Sequence, residues 1–293
     1  DLNSYCTSQE MGGFSITLFK LDDELKKYYD MPCYCPFYAK GELTGTGIQE
    51  TEDCASAAEE TEEPEFDEND IEDVEVVRSK AGELTELNAE DTRNMLIYIA
   101  NKIIANKPYL TEVDSAIGDG DHGIGMAGGM QKVRRKMRQM EGEHNAYALF
   151  EAAGKAMLLS MGGASGVIFG SLYLAGAKGM ERKETLAAQD LAQMERKSLE
   201  AIRERGKAAV GDKTMVDALA PAVEALEANQ DKSLLEMLKS AEKAAKQGVE
   251  DTKKYQAQFG RAKSLMERAI GYQDAGATSV WLIFQGMREF VEG

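Results

Sequence analysis

From residue 86 onward this sequence predicts an all-α fold, on three observations. Apolar residues recur at helical spacing through most of that stretch. Pro221 is the single proline after Pro108. No alternating run of apolar and polar residues argues for a sheet. The chain has 293 residues, 43% of them hydrophobic, with a mean hydropathy of −0.41, enough for one sizeable domain and an appendage. No apolar run reaches the roughly 18 residues a membrane span needs. Lys20 and Asp22 come too early for a secretory signal. A net charge of −17 argues against general nucleic-acid binding. A soluble, cytoplasmic protein with no membrane and no nucleic-acid partner is expected.

The chain divides into three parts. Residues 1–46 contain one strand, Phe14 to Leu21, and a short amphipathic stretch, Asp22 to Tyr29. One strand and one helix cannot form an independent core, and the chain begins with Asp1 rather than a methionine. A remnant of a larger α/β domain is therefore expected. Residues 47–85 follow as an acidic linker: from Glu50 to Glu75 there are 14 acidic residues and no basic one. Without them the 51 acids fall to 37 against 34 bases, so the acidity belongs to this segment. It has too little apolar content to offset its ordering entropy. Cys6, Cys33, Cys35 and Cys54 all lie before residue 80; with no histidine nearby they read as reduced thiols rather than a zinc site.

Residues 86–293 carry helix after helix. Asn88 with Asp91 three residues on is an N-cap signature. Met95, Leu96, Ile99, Ile103 and Ile104 then share one helical face. Further helices are expected over about Met126–Met140, Ala146–Ser160, Val167–Met180, Leu186–Arg205, Met215–Leu226, Ser233–Glu250 and Ala277–Val291.

The joints between helices carry the chemistry. In Asp114-Ser-Ala-Ile-Gly-Asp119-Gly-Asp121-His122-Gly123, three carboxylates fall within eight residues, and Asp119 and Asp121 flank a glycine able to turn at positive φ. Hard divalent cations take oxygen ligands, and a helix opening near Gly125 would aim free N–H groups at the same spot. An acidic surface turn is the plain alternative; the packing of four glycines and a histidine around the aspartates argues against it. The EF-hand pattern is absent. The second joint, Ser160-Met-Gly162-Gly163-Ala164-Ser165-Gly166, exposes backbone N–H groups and a hydroxyl, as anion nests do. The third is Arg205-Gly206-Lys207 followed by Gly211-Asp-Lys213-Thr-Met215. The fourth is Gly260-Arg261, then Gly271-Tyr-Gln-Asp274-Ala275-Gly276-Ala-Thr-Ser279. Neither a Walker A nor a Rossmann fingerprint occurs.

These four ordered motifs resemble the nucleotide-binding (L-type) domain of dihydroxyacetone kinases, over roughly residues 86–293. Thr7 to Ser15 and Leu21 to Leu25 resemble the C-terminal end of the family's dihydroxyacetone-binding (K-type) domain. The resemblance implies an antiparallel helical barrel that binds Mg-nucleotide at one end. It implies Asp114, Asp119 and Asp121 as ligands of Mg²⁺, and ATP or ADP lined by His122, Gly123, Ile124, Gly125, Ala164, Ser165, Gly206, Met215, Arg261, Asp274, Ala275 and Gly276, with Met215 against the adenine. No catalytic residue beyond the metal ligands is expected, because the family's substrate-anchoring histidine belongs to the K-type domain. Tyr272 stands where relatives often have His, and Ala275 where they often have Pro. Lys263, Ser264 and Met266 also depart from the usual residues.

The function this implies is the nucleotide half of an ATP-dependent dihydroxyacetone kinase, working with a K-type domain or subunit; homodimer formation is left open. Two alternatives stand beside it. One is a phosphotransferase-system subunit holding ADP as a fixed cofactor, and the other a non-enzymatic nucleotide-binding regulator.

Overall fold

The structure, a computed structural model, describes residues 34–35, 38–39, 76, 78–79, 82–161 and 163–293. The strand expected at Phe14–Leu21, the stretch Asp22–Tyr29, the acidic run Glu50–Glu75 and the boundary at residue 46 lie outside the described residues. The chain divides into two compact units, Asp1–Ile71 and Glu72–Gly293. The described part of the first unit is a two-stranded antiparallel pair, β1 (Tyr34–Cys35) and β2 (Tyr38–Ala39), with Tyr34 opposite Ala39.

In the second unit β3 (Leu87–Asn88) leads into α1 (Ala89–Ala105). The Asn88 side chain accepts the Asp91 N–H at 2.7 Å, the cap its position predicts. Met95, Leu96, Ile99 and Ile103 of α1 are fully buried, as the helical spacing requires. A second helix, α2 (Lys107–Ser115), follows after one residue. The sequence reading places no helix here; Pro108 sits in its first turn, where a missing N–H costs nothing. Then come α3 (His122–Gln139), α4 (Ala146–Ser160), α5 (Gly163–Ala177), β4 (Thr185–Leu186), α6 (Ala188–Gly206), α7 (Val216–Ala228), α8 (Leu234–Thr252) and α9 (Ala275–Glu292). The expected α4 is found at its expected bounds. By contrast, α3 and α5 begin about four residues earlier than periodicity suggested. Their first turns, His122–Gly125 and Gly163–Gly166, bury no apolar stripe to announce them: Ile124, the one large apolar residue there, is exposed. A 3₁₀ stretch, Arg261–Ala269, precedes α9.

α1 packs on α3, and each later helix packs on the one before it until α9 returns to α1. Turns between successive helices reverse the chain, so eight helices close into an antiparallel up-and-down barrel, with α2 across one end against α3 and α9. β3 pairs with β4, setting Leu87 beside Leu186, both fully buried. These two-residue strands are too short to show alternation in sequence. The interior is one continuous apolar cluster drawing on all eight helices. Between α4 and α5 the backbones touch at Gly154, where a Cβ would stand 2.6 Å from the Gly170 carbonyl oxygen. Among the described residues no helix is long and apolar enough to cross a membrane.

A buried acid of the barrel wall lacks a full set of hydrogen-bond partners. Glu195 of α6 is 2% exposed and its Oε2 has no hydrogen-bond partner, nor has the Tyr173 hydroxyl of α5. Burial pushes the Glu195 carboxyl up to about 8, so it is protonated at neutral pH; burial and then the Glu195 charge push the Tyr173 phenol upward. Because the folded pKa exceeds the unfolded one, the unfolded chain releases this proton first. Stability should therefore fall as pH rises from about 4.5 to about 8. Glu195→Gln is expected to flatten that slope, leaving stability near wild type at pH 5 and raising it at pH 8 by a few kcal/mol, on the order of the linked proton's free energy. Urea unfolding at both pH values checks this; an unchanged slope would place the titration elsewhere.

Candidate functional site

Up-and-down closure puts the starts of α3, α5, α7 and α9 and the ends of α4, α6 and α8 at one end of the barrel. All four motifs lie on these joints. The last turn of α2 holds Asp114, and the turn between α2 and α3 holds Asp119 and Asp121. Gly120 adopts φ +77°, the left-handed turn expected between Asp119 and Asp121. Oxygens of Asp114, Asp119 and Asp121 lie within 4.8 Å of one another. Asp114 Oδ2 accepts the His122 backbone N–H at 3.2 Å, tying the first carboxylate to the start of α3. Asp119 and Asp121 are exposed and Asp114 half-buried. Arg261, from the long loop between α8 and α9, reaches back to this turn: its Nη2 is 2.8 Å from Asp119 Oδ2 and 4.0 Å from Asp121 Oδ2.

The Asp121 carboxyl is held above the ordinary range. Partial burial is the first cause, then the Asp119 charge and hydrogen bond and the Asp114 charge, while Arg261 pulls it back down. Three acids kept this close favour a cation between them. An all-oxygen donor set of carboxylates is the kind a hard divalent cation such as Mg²⁺ takes, so the residues present fit that ion.

The histidine of the motif is turned inward. His122 Nε2 lies 2.8 Å from Ser279 Oγ of α9, and the ring also bonds the Ala275 carbonyl. It packs 5.8 Å from the Phe169 ring of α5. Burial lowers its pKa, so the ring is neutral and braces α3 against α5 and α9. Gly123 is buried against Thr111 of α2, whereas Ile124 is exposed. Gly125 lies beside Met161 at the end of α4, next to the exposed Ala164 and Ser165 of the first turn of α5. Gly206, ending α6, abuts Ile168 of α5.

Asp274 caps α9, its Oδ2 accepting the Ala277 N–H at 2.7 Å. Its carboxyl is pushed up to about 7, first by burial and also by the Asp217 and Asp114 charges, against the lowering effects of the Ala277 N–H and Lys213. Met215 is 5% exposed and packs under Gly276. The structure thus gathers Asp114, Asp119, Asp121 and Arg261 into one ion cluster, and His122, Met215, Asp274, Ala275 and Gly276 into the wall beside it. Ala164, Ser165 and Gly206 line the same end without touching the cluster.

Sequence reasoning passed over Asp217, whose carboxylate accepts the Gly211 and Thr214 N–H groups and shapes the third joint. It read Lys213 as one cation among several, whereas the structure buries it. The signal for Asp217 was its place in the first turn of a helix after a Gly-rich joint, where an acid accepts free N–H groups. A cavity of about 600 Å³ between α1 and α9, lined by Tyr98, Lys102 and Glu289 among others, lies apart from the carboxylates.

Residues 116–289 match the DAK2 domain family. The ADP-binding subunit DhaL of the PEP-dependent dihydroxyacetone kinase of Escherichia coli is 39% identical over 60% of this chain and 85% of its own length. D-erythrulose kinase of Mycolicibacterium smegmatis is 32% identical over 96% of this chain. Among solved structures, the dihydroxyacetone kinase of C. freundii superimposes with a TM-score of 0.53 at 25% identity, over 74% of this chain. The match spans 47% of the erythrulose kinase and 38% of the C. freundii chain.

Replacing Arg261 by Gln removes the charge that lowers the Asp121 carboxyl, so that carboxyl should titrate higher still, whereas Asp114→Asn should bring it down. Carboxyl ¹³C NMR across a pH titration reads both. An Asp121 resonance indifferent to Arg261→Gln would detach the guanidinium from the cluster.

Proposed function

The chain belongs to the DAK2 domain family, and from that premise we propose that it is the nucleotide-binding, phosphoryl-transferring half of a kinase for a short ketose such as dihydroxyacetone. The observation that carries this reading is the triad Asp114, Asp119 and Asp121 with Arg261 at the barrel end where four helix N-termini converge. The E. coli relative is named an ADP-binding subunit, which supports ATP or ADP as the ligand here.

In this reading the three carboxylates hold Mg²⁺, which when bound supplies charge neutralisation for phosphate oxygens. The backbone N–H groups opening α3, α5 and α9 take phosphate oxygens, Ser165 adds a hydroxyl, and Arg261 turns from Asp119 to the transferring phosphate. Ala164, Gly206, Ala275 and Gly276 offer small surfaces close to the backbone, and Met215 is the apolar wall for the base. Phosphoryl transfer asks the protein mainly for positioning and charge stabilisation, and these groups supply both. His122, neutral and doubly bonded, holds the frame rather than moving a proton.

The acceptor is held by a second domain or subunit of the K type. The large hydrophobic side chains exposed among the described residues all fall at the nucleotide end, including Leu159 at 87%, Met266 at 65% and Ile124 at 57% exposure. An apolar collar around a charged site is what a docking surface presents. The erythrulose kinase matches nearly the whole chain, while the E. coli subunit matches 60% of it. That favours both halves lying in one polypeptide. The E. coli relative's name, PEP-dependent, keeps the second reading, ADP as a fixed cofactor recharged by a phosphocarrier.

Calorimetry with Mg-ADP tests the site. Asp119→Asn with Asp121→Asn should remove most of the Mg-dependent affinity, because neutral amide oxygens replace charged ones; affinity unchanged by both substitutions would end the metal assignment. The second experiment assays dihydroxyacetone phosphorylation by this chain alone and with a K-type subunit added. Background turnover alone and a large gain with the partner, abolished by Asp121→Ala, is the expected result. Robust turnover without the partner would mean that the acceptor site lies in this chain.

A further inference from the structure

The loop joining α8 to α9 is closed at its neck and docked at its body by separate means. At the neck, the Gly271 N–H donates to the Lys253 carbonyl at 2.7 Å. The Lys213 ammonium, arriving from the joint between α6 and α7, donates to the carbonyl of Thr252 at 2.6 Å and to that of Tyr272. Those two residues are the last of α8 and the second from the cap of α9, so one ammonium spans both ends of the loop. Beside it the Gln258 N–H donates to the Asp212 carbonyl at 3.0 Å. Ala257 and Ala269 of the loop form a small apolar cluster with Ile117 of the carboxylate turn, and Arg261 reaches Asp119.

Lys213 is 2% exposed and holds a left-handed backbone, φ +61°. Its turn is shaped by the Asp217 carboxylate, which accepts the N–H groups on either side of it, those of Gly211 and Thr214. A lysine that only capped α8 would need the Thr252 carbonyl alone; the bond to Tyr272 ties α8 to the entry of α9.

We propose that Lys213 is a positioning residue: it staples the neck of the loop of residues 253–271, and through that neck it sets where Arg261 and the Asp274–Gly276 turn stand over the phosphates. The positioning role rests on the nucleotide site proposed above; the staple itself does not. Lys213 touches no carboxylate of the triad and acts through two backbone carbonyls.

The test uses the full chain with Lys213→Met, of similar length and without donors, and Lys213→Arg, which keeps them. Hydrogen exchange and Mg-ADP calorimetry are measured on each. With Lys213→Met, the amides of Gly271 and Asp274 should exchange at least tenfold faster while those of α1 and mid-α8 keep wild-type protection, and Mg-ADP affinity should fall about tenfold or more. Lys213→Arg should restore both to within about threefold. Wild-type neck exchange in Lys213→Met would overturn the staple. Faster exchange spread through the whole barrel, or an Arg variant as impaired as the Met one, would overturn the positioning role. If the wild-type chain binds no nucleotide, the nucleotide reading fails, and neck exchange alone still judges the staple.

Discussion

Closure of eight antiparallel helices into a ring is the constraint on which the rest of the molecule depends. Parity alone sends the starts of α3, α5, α7 and α9 to the same end, each with unsatisfied N–H groups and a partial positive charge. Three carboxylates within 4.8 Å would repel one another in most surroundings; here they sit where four positive helix ends converge. The same field that tolerates the aspartates favours phosphate oxygens. The opposite end of the barrel gathers the starts of α1, α4, α6 and α8, so the number of N-termini does not distinguish the two ends; the motifs do, and none of the four falls there.

A second constraint follows from the first. Helix ends carry no mutual register of their own, so the joints must be tied to each other to hold a geometry. The structure does this with buried polar groups: Asp217 organises the third joint, Asp274 caps α9, and the His122 ring links α3 to α9 through Ser279 and the Ala275 carbonyl. Each of these groups loses hydration and recovers part of it in hydrogen bonds; for Asp274 and His122 the lost hydration outweighs the bonds to backbone, which favour the charged forms, so both are shifted towards neutral. The apolar interior supplies stability without regard to which joint is which. The polar ties supply the arrangement.

How much of this was legible depended on whether a residue's role was local. The periodic faces of α1, α4 and α8 were readable because each helix buries a stripe of its own. The first turns of α3 and α5 were not, since Gly, Ala and Ser leave no apolar mark in α5 and the lone Ile124 of α3 is exposed rather than part of a buried stripe. The carboxylates were legible as a motif because all three lie within eight residues. Their ion pair with Arg261 spans about 140 residues, and no spacing rule reaches that far. Lys213 read as one cation among several for the same reason: the carbonyls it bonds belong to residues 252 and 272, and only the closed ring brings them to it. The 3₁₀ stretch Arg261–Ala269 has a break at Met266, φ +51°, and carries no regular periodicity to detect.

The departures from the family pattern at positions 272 and 275 find their physical reason in this division between side chain and backbone. At position 272, where the resemblance implies histidine, the tyrosine ring is half exposed and the atom that holds the loop is its carbonyl oxygen, bonded by Lys213. Ala275 replaces the usual proline, and again a carbonyl does the work, accepting from the His122 ring. A carbonyl is present whatever the side chain, so both positions can change while the neck of the loop and the opening of α9 keep their bonds. Proline at 275 would preset φ for the first turn of α9; alanine, a strong helix former, reaches the same conformation once Asp274 has capped the turn. The residues that cannot be exchanged in this way are those whose side-chain atoms make the tie: Lys213, His122 and Asp274, which lie inside the motifs, and Asp217, two residues beyond the third.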